Sequence, residues 1–185
     1  MSLSRQIAFA GRAGFVLLVQ AAGCADASAK GALSGCDGFI GKLRNIASEM
    51  QVDFSHSLIV SRAKNDENVF DITTKVDVDA TLTCRGDEFL RFEARVVEPT
   101  SARARTSFEH FSADALRAAL GWDAGRSSEM TRTMDADVRE YLAASKQRGD
   151  VYISGKTEEH LGGGVDLGLI FTDTDRAFII LGRGK

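Results

Sequence analysis

The chain of 185 residues has little that would indicate disorder, nucleic-acid binding or a membrane-spanning domain. It contains a single proline and no low-complexity tract, so the body of the chain is expected to fold. Its 26 acidic and 23 basic residues give a formal net charge of −3, and the basic residues form no concentrated stripe. We therefore predict that nucleic acid is not a partner. No apolar run reaches the roughly 20 residues that a membrane-spanning helix needs.

Signatures of catalysis and of metal binding are equally scarce. The histidines His56, His110 and His160 form no His-x-x-x-His pair, and the chain has no Gly-x-Ser-x-Gly motif. Residues 154–157 look like the end of a phosphate-binding loop, but Asp150 stands where that motif needs glycine. Residues 158–160, beside three glycines, are interpreted as part of a solvated loop rather than a metal site. We predict no catalytic residues, no metal ligands and no cofactor.

The N-terminus is typical of a bacterial secretory signal. Arg5 and Arg12 are the only charges in residues 1–22, and an apolar run of suitable length follows at residues 13–19. The next residues, Ala21-Ala22-Gly23-Cys24, resemble the lipobox of bacterial lipoproteins, in which small residues precede a cysteine that is lipidated. The family usually has leucine where this chain has Ala21. The resemblance implies lipidation of Cys24 and a periplasmic location, with a lipid anchor in the outer membrane.

Two alternatives stay open for this segment. A signal peptidase could cut after Ala29, which would discard Cys24 and leave a soluble periplasmic protein. The segment could also be an ordinary N-terminus that is never removed. On the lipoprotein interpretation, residues 1–23 are a signal peptide, residues 24–34 are a small, polar tether and residues 35–185 are a single domain.

The cysteine count agrees with export. Three is an odd number of cysteines, so they cannot all form disulfide bonds within one secreted chain. Assigning Cys24 to the lipid or to the signal leaves Cys36 and Cys84. In an oxidising compartment we expect these two to form a disulfide bond. Cys84 ends the inward side of a predicted strand and Cys36 lies just before the first predicted helix, so the bond would attach that helix to the sheet. The alternative is two reduced, buried cysteines in a cytosolic protein.

Alternating apolar and polar residues predict the first strands. Residues 70–84 alternate without a break, which predicts one long strand that is buried on one side. Residues 88–97 repeat the pattern and residues 52–62 show it less cleanly, so a meander of three antiparallel strands is predicted. A turn at residues 85–87 would place Cys84 opposite Glu88 and Asp79 opposite Glu93. The second of these pairs would be mildly unfavourable.

Apolar stripes and capping residues predict the helices. Helices are expected at residues 37–50 and from Ser127 or Ser128 to about residue 148, and Ser112 suits the start of a shorter helix that ends at Gly121. Further strands are expected at residues 150–154, 165–171 and 177–181. The order α-βββ-(α)-α-βββ predicts a two-layer α+β fold, in which an antiparallel sheet of about six strands carries helices. Several small envelope folds share this order, including the PsbP-like one, but fold alone implies no function.

The favoured function is a non-catalytic, lipid-anchored cell-envelope protein that binds another protein, as a secretion or assembly accessory or in an immunity-type role. The predicted partner surface is the solvent-exposed face of the first three predicted strands, together with the predicted loop at residues 156–164. The side chains singled out there are Lys75, Asp77, Asp79, Arg91, Arg95 and Lys156. One alternative is a periplasmic carrier whose phenylalanines line a cavity for a small molecule or lipid. Another is a hydrolase or metal enzyme of unknown substrate.

Overall fold

The computed structural model describes residues 33–49, 58–74, 78–97, 101–150, 153–172 and 174–183. Along the chain, the described elements are α1 (Cys36–Glu49), β1 (Ile59–Ala63), β2 (Asp66–Thr73), β3 (Val78–Arg85), β4 (Glu88–Val97), α2 (Ala102–Leu120), α3 (Ala124–Arg148), β5 (Ser154–Gly162), β6 (Val165–Thr172) and β7 (Asp175–Gly182). The strands form one antiparallel sheet in the order β1-β2-β3-β4-β7-β6-β5. The expected α+β class with an antiparallel sheet is confirmed, with seven strands where about six were predicted.

The predicted long strand at residues 70–84 is wrong, because this stretch contains two strands. β2 and β3 pair as an antiparallel hairpin in which Thr73 lies opposite Asp79. In this register even-numbered residues face even-numbered ones, so Ile72 and Ala80 are neighbours on the buried side. The alternation of apolar and polar residues therefore continues unchanged from β2 into β3, and it does not show that the chain reverses direction between them. The observed order of described elements is α-ββββ-α-α-βββ. Residues 52–57 of the first predicted strand lie outside the described residues.

The hairpin between β3 and β4 also differs from its predicted register. It has a two-residue turn that begins at Gly86, whose φ of 61° favours glycine. Cys84 pairs with Phe89 rather than with Glu88, and Leu90 is the extra residue of a β-bulge. The short turn and the bulge each shift the pairing by one residue, so the predicted register is wrong by two. Alternation alone reveals neither feature.

Helices α2 and α3 begin earlier than predicted. The N-cap of α2 is Ser101, whose side chain accepts a backbone N–H of the first turn, while Ser112 is buried inside the helix. The predicted end of α2 is confirmed, because Gly121 is left-handed with a φ of 66°. The N-cap of α3 is Asp123 rather than Ser127 or Ser128. Among the helices described, none combines the length and apolar character that a membrane crossing requires.

The predicted loop at residues 156–164 is wrong, because most of it belongs to strand β5. This strand pairs with β6, and the chain then turns through Gly163 and Gly164, both of which have positive φ. β5 is an edge strand, and its side chains are mostly exposed on both faces. A strand that buries little of either face carries no apolar alternation, so the strand expected at residues 150–154 overlaps β5 only at Ser154. Lys156 therefore lies on a strand rather than in a flexible loop.

All three helices pack on the same face of the sheet. Phe92 of β4, at the centre of this face, contacts Phe39 of α1 and Phe111 of α2, with ring centroids 5.2 and 6.0 Å apart. Tyr141 of α3 packs against Phe171 of β6 at 5.4 Å. One cluster of buried apolar side chains joins the helices to the sheet. The helices thus form a second layer on one side of the strands.

The predicted disulfide bond is confirmed. Cys36, the first residue of α1, is bonded to Cys84 of β3, and both residues are buried on the helix side of the sheet. The two cysteines are 48 residues apart in the chain. The chain-entropy model gives about 4 kcal/mol for a loop of this length, as an upper estimate. The bond attaches the first helix to the sheet, as expected.

Candidate functional site

The sheet face opposite the helices carries side chains that no described helix covers. The register aligns these side chains in three rows that cross the sheet from β2 to β5. We name this surface the open face. Its residues are Val69, Asp71, Thr73, Asp79, Thr81, Thr83, Arg91, Glu93, Arg95, Ala177, Ile179, Leu181, Asp166, Gly168, Ile170, Lys156, Glu158 and His160, with Ile59 and Val97 at its margin.

The open face brings together the described members of the predicted partner surface. Asp79 of β3 lies directly opposite Arg95 of β4, and Arg91 lies two residues along the same strand. Lys156 of β5 belongs to the row of Arg95, three strands away. Asp79 thus has an opposite charge beside it, whereas its predicted neighbour was Glu93. Two of the residues singled out lie outside the described residues: Lys75 and Asp77.

Glu93 orders the two arginines of β4. Its carboxylate accepts hydrogen bonds from Arg91 at 2.5 Å and from Arg95 at 2.9 Å. Partial burial acts to raise the pKa of Glu93, but the hydrogen bonds and charges of both arginines outweigh it and hold this pKa below its ordinary value. Glu93 therefore stays ionised and holds both guanidinium groups in place. Sequence reasoning selected the arginines and missed Glu93, although alternating opposite charges at residues 91, 93 and 95 were a usable signal.

The open face also concentrates exposed apolar side chains. Among the described residues five large hydrophobic side chains are exposed, and four of them lie on this face: Ile59, Val97, Ile170 and Leu181. The fifth is Tyr141 of α3. Leu181 is 38% exposed on β7, the strand next to β4, and Ile170 is 43% exposed on β6, one strand further away. The sequence pattern missed them because β6 and β7 carry apolar residues on both faces.

A depression of about 390 Å³ lies on the charged part of the open face. Its lining includes Asp79 and Thr81 of β3, with Glu93 and Arg95 of β4. Arg91, which Glu93 also holds, is the cross-strand neighbour of the exposed Leu181 of β7, whereas the neighbour of Arg95 is the buried Ala177. The charged and apolar parts are therefore contiguous across the β4–β7 pairing, and one partner could contact both.

A separate cluster of charged residues lies on the helix side of the sheet. Asp135 of α3 and Arg176 of β7 form a buried ion pair, and Arg139 Nε lies 2.8 Å from the second carboxylate oxygen of Asp135. Glu109 of α2 lies beside them, and its pKa is raised by burial and by the negative charge of Asp135. We assign this cluster a structural role, because it joins both long helices to β7.

The remaining features suggested by the sequence lie in the core or on the surface. The described residues include no group of three or more His, Cys, Asp or Glu side chains that could hold a metal ion. Phe70 is partly buried, with the guanidinium of Arg62 5.1 Å from its ring centroid, and Phe54 lies outside the described residues. The other phenylalanines considered for a cavity lining are buried in the core: Phe92, Phe108, Phe111, Phe171 and Phe178.

Two features of the open face bear on function: the ordered arginines of β4 and the exposed apolar side chains on the same face. We infer the function from these two features, because comparison with known proteins supplies no other starting point. No family model, no curated protein and no solved structure matches the chain.

Proposed function

We propose that this is an exported, lipid-anchored, non-catalytic cell-envelope protein that binds another protein through the open face. The observation that carries the proposal is that four of the five exposed large hydrophobic side chains of the described residues lie on one sheet face. Single exposed apolar residues are normal, whereas several on one surface beside charged residues are typical of a binding site. A secretion or assembly accessory and an immunity-type protein would both need such a surface.

The charged part of the open face is suited to binding because it is ordered in advance. Arginine is enriched among the residues that dominate binding energy, and Glu93 already holds Arg91 and Arg95. Immobilising a flexible side chain on binding costs about 0.5–1.5 kcal/mol, and part of this cost is met before a partner arrives. Leu181 lies opposite Arg91 across the β4–β7 pairing, so a partner would meet an apolar and a charged group side by side.

Export and anchoring are supported by features outside the open face. The disulfide bond between Cys36 and Cys84 favours an oxidising compartment. The lipobox-like residues end at Cys24, and α1 begins at Cys36. A lipid on Cys24 would therefore hold the domain close to the membrane surface.

Site-specific photocrosslinking in the native envelope tests the surface. A photoreactive amino acid at Leu181 or at Ile170 is expected to crosslink to the same partner protein, because both positions lie on the open face. The matched control is the same amino acid at Tyr141, which is 45% exposed but lies on α3. Equal crosslinking from Tyr141, or none from the two open-face positions, would contradict the proposal.

The intact mass of protein extracted from membranes tests the anchor. We expect a chain that begins at Cys24 and carries a lipid-sized increment, and we expect Cys24→Ser to release the protein from the membrane. An unmodified chain that begins at Lys30 would identify the soluble alternative and refute the anchor. The disulfide bond is a built-in control, since Cys36 and Cys84 should stay oxidised in both proteins.

A further inference from the structure

A second polar cluster lies at one corner of the sheet, where the β5–β6 hairpin meets the end of β7. His160 of β5 faces Asp166 of β6 in the register, and His160 Nδ1 lies 2.7 Å from Asp166 Oδ1. Arg183, just beyond β7, donates from Nε to Asp166 Oδ2 at 2.6 Å. Each oxygen of one carboxylate thus holds one basic side chain.

A pocket of about 280 Å³ opens at this corner, and its lining includes all three polar side chains together with Gly162 and Gly164. The glycine turn packs closely on the backbone of Arg183. The N–H of Arg183 donates to the carbonyl oxygen of Gly164 at 2.6 Å, and a Cβ on Gly164 would lie 3.0 Å from the carbonyl oxygen of Arg183. The glycine wall of the pocket therefore has no side chains, and the backbone of Arg183 is hydrogen-bonded to it.

We propose that this pocket binds an oxyanion, the phosphate or carboxylate group of a small molecule, between the guanidinium of Arg183 and Nε2 of His160. Asp166 engages Nε of Arg183, which leaves both terminal nitrogens to bind two ligand oxygens as a fork. It also engages Nδ1 of His160, so Nε2 is the ring nitrogen turned to a ligand. Within the described residues, neither Nε2 of His160 nor the terminal nitrogens of Arg183 make a hydrogen bond to protein.

Asp166 is a positioning residue for this site. The hydrogen bond from His160, followed by the interactions with Arg183, holds the pKa of Asp166 below its ordinary value, so the carboxylate stays ionised. It can therefore accept hydrogen bonds from both basic groups and orient them. The inference does not rest on the proposed protein-binding function, because it concerns a small ligand at one corner of the sheet.

The charge of the cluster depends on His160. With a neutral imidazole the charges of Asp166 and Arg183 cancel, and with an imidazolium the cluster carries one net positive charge. The other charged side chains on the same face of β5, Lys156 and Glu158, pair with each other at 3.0 Å, and Glu159 lies on the opposite face. An imidazolium at His160 should therefore bind an anion more tightly than a neutral imidazole does.

Titration with inorganic phosphate, and separately with acetate, tests the site by NMR of the histidine ring signals at constant ionic strength. We expect a saturable shift of the His160 signals with at least one of the two anions. His110, exposed on α2, is the internal control and should show no saturation. Saturation by phosphate alone assigns a phosphate ligand, and saturation by acetate alone assigns a carboxylate.

Matched variants identify the groups responsible. Arg183→Gln should weaken anion binding roughly tenfold or more, because it removes a charged hydrogen-bond donor. Arg132→Gln, which changes an exposed arginine of α3, should leave binding unchanged. Asp166→Asn should weaken binding and also change the tautomer of His160 seen in nitrogen-15 spectra, which a merely structural role would not do. The proposal is overturned if His160 responds like His110, or if both arginine variants bind equally well.

Discussion

Replacing Asp135 by asparagine should be among the most destabilising single substitutions in the described part of the chain. The change keeps the size of the side chain and removes the charge that Arg176 faces. The side chains of Asp135 and Arg176 are only 4% and 5% exposed, so the guanidinium would stay buried without an ionised partner. Arg139, the second partner of Asp135, is half exposed and can turn towards water. The cost therefore falls mainly on Arg176.

The expected magnitude follows from this burial. Removing one partner of a buried ion pair costs about 3–5 kcal/mol, which is a large share of the roughly 5–15 kcal/mol by which a domain is stable. Arg132 and Glu129, on the same helix, form a matched control pair. The side chain of Arg132 is 69% exposed and that of Glu129 is 62% exposed. Glu129→Gln should therefore cost at most about 1 kcal/mol.

Equilibrium urea unfolding of the oxidised protein, followed by circular dichroism and by the fluorescence of Trp122, measures these differences in the free energy of unfolding. The double variant Asp135→Asn/Arg176→Met should be more stable than Asp135→Asn alone, because it leaves no unpaired charge in the interior. If Asp135→Asn costs no more than Glu129→Gln, the buried pair is not a major link between α3 and β7. A double variant less stable than the single one would refute the same reasoning.

Three further predictions concern stability. Loss of the disulfide in Cys36→Ser/Cys84→Ser should cost about 2–4 kcal/mol in urea unfolding, and reductant should lower the stability of the native protein but not of this variant. Glu109 has a raised pKa when folded, so its contribution to stability is full below the unfolded carboxyl value of about 4.3 and is lost as the pH rises through the folded value. Between these two pKa values the free energy of unfolding should therefore fall less steeply with rising pH for Glu109→Gln than for the native protein. An unchanged slope would count against the prediction. Gly155→Ala should cost about 1–3 kcal/mol, because its Cβ would lie 2.7 Å from a phenylalanine ring of β6. Gly41→Ala, at an open position in α1, should instead stabilise by about 0.5–1 kcal/mol, and equal effects of the two in thermal melts would refute the packing argument.

Elements that bury one face, and helix ends marked by a glycine, could be predicted from the sequence. β4 alternates clearly, with Phe92 among its buried side chains and Arg91 and Arg95 among its exposed ones. Helix α2 ends at Gly121 because the chain there needs a positive φ. The disulfide followed from the number of cysteines and the inward position of Cys84. In each case the deciding interaction is local, or depends on a single pair of residues.

The errors arise where alternation carries no information or where the deciding contact is distant in the chain. The turn between β2 and β3 keeps even-numbered residues on the buried side, so alternation could not show it. Ser101 and Ser112 are both suitable caps, and the choice between them depends on how the first half of α2 packs, with Phe108 in the core. β5 was missed because an edge strand with both faces exposed needs no apolar period. Its existence depends on pairing with β6.

The candidate site could also be predicted only in part, because its composition depends on the order of the strands in the sheet. Its arginines could be predicted because they share one strand, but Leu181 becomes their neighbour only because β7 lies between β4 and β6. If the open face binds one partner as a composite surface, Leu181→Asp and Arg95→Glu should each weaken binding of that partner by about 1 kcal/mol or more. Tyr141→Asp is the matched control and should leave the affinity unchanged. Sensitivity to only one of the two substitutions would show that the charged and apolar parts do not act as one site.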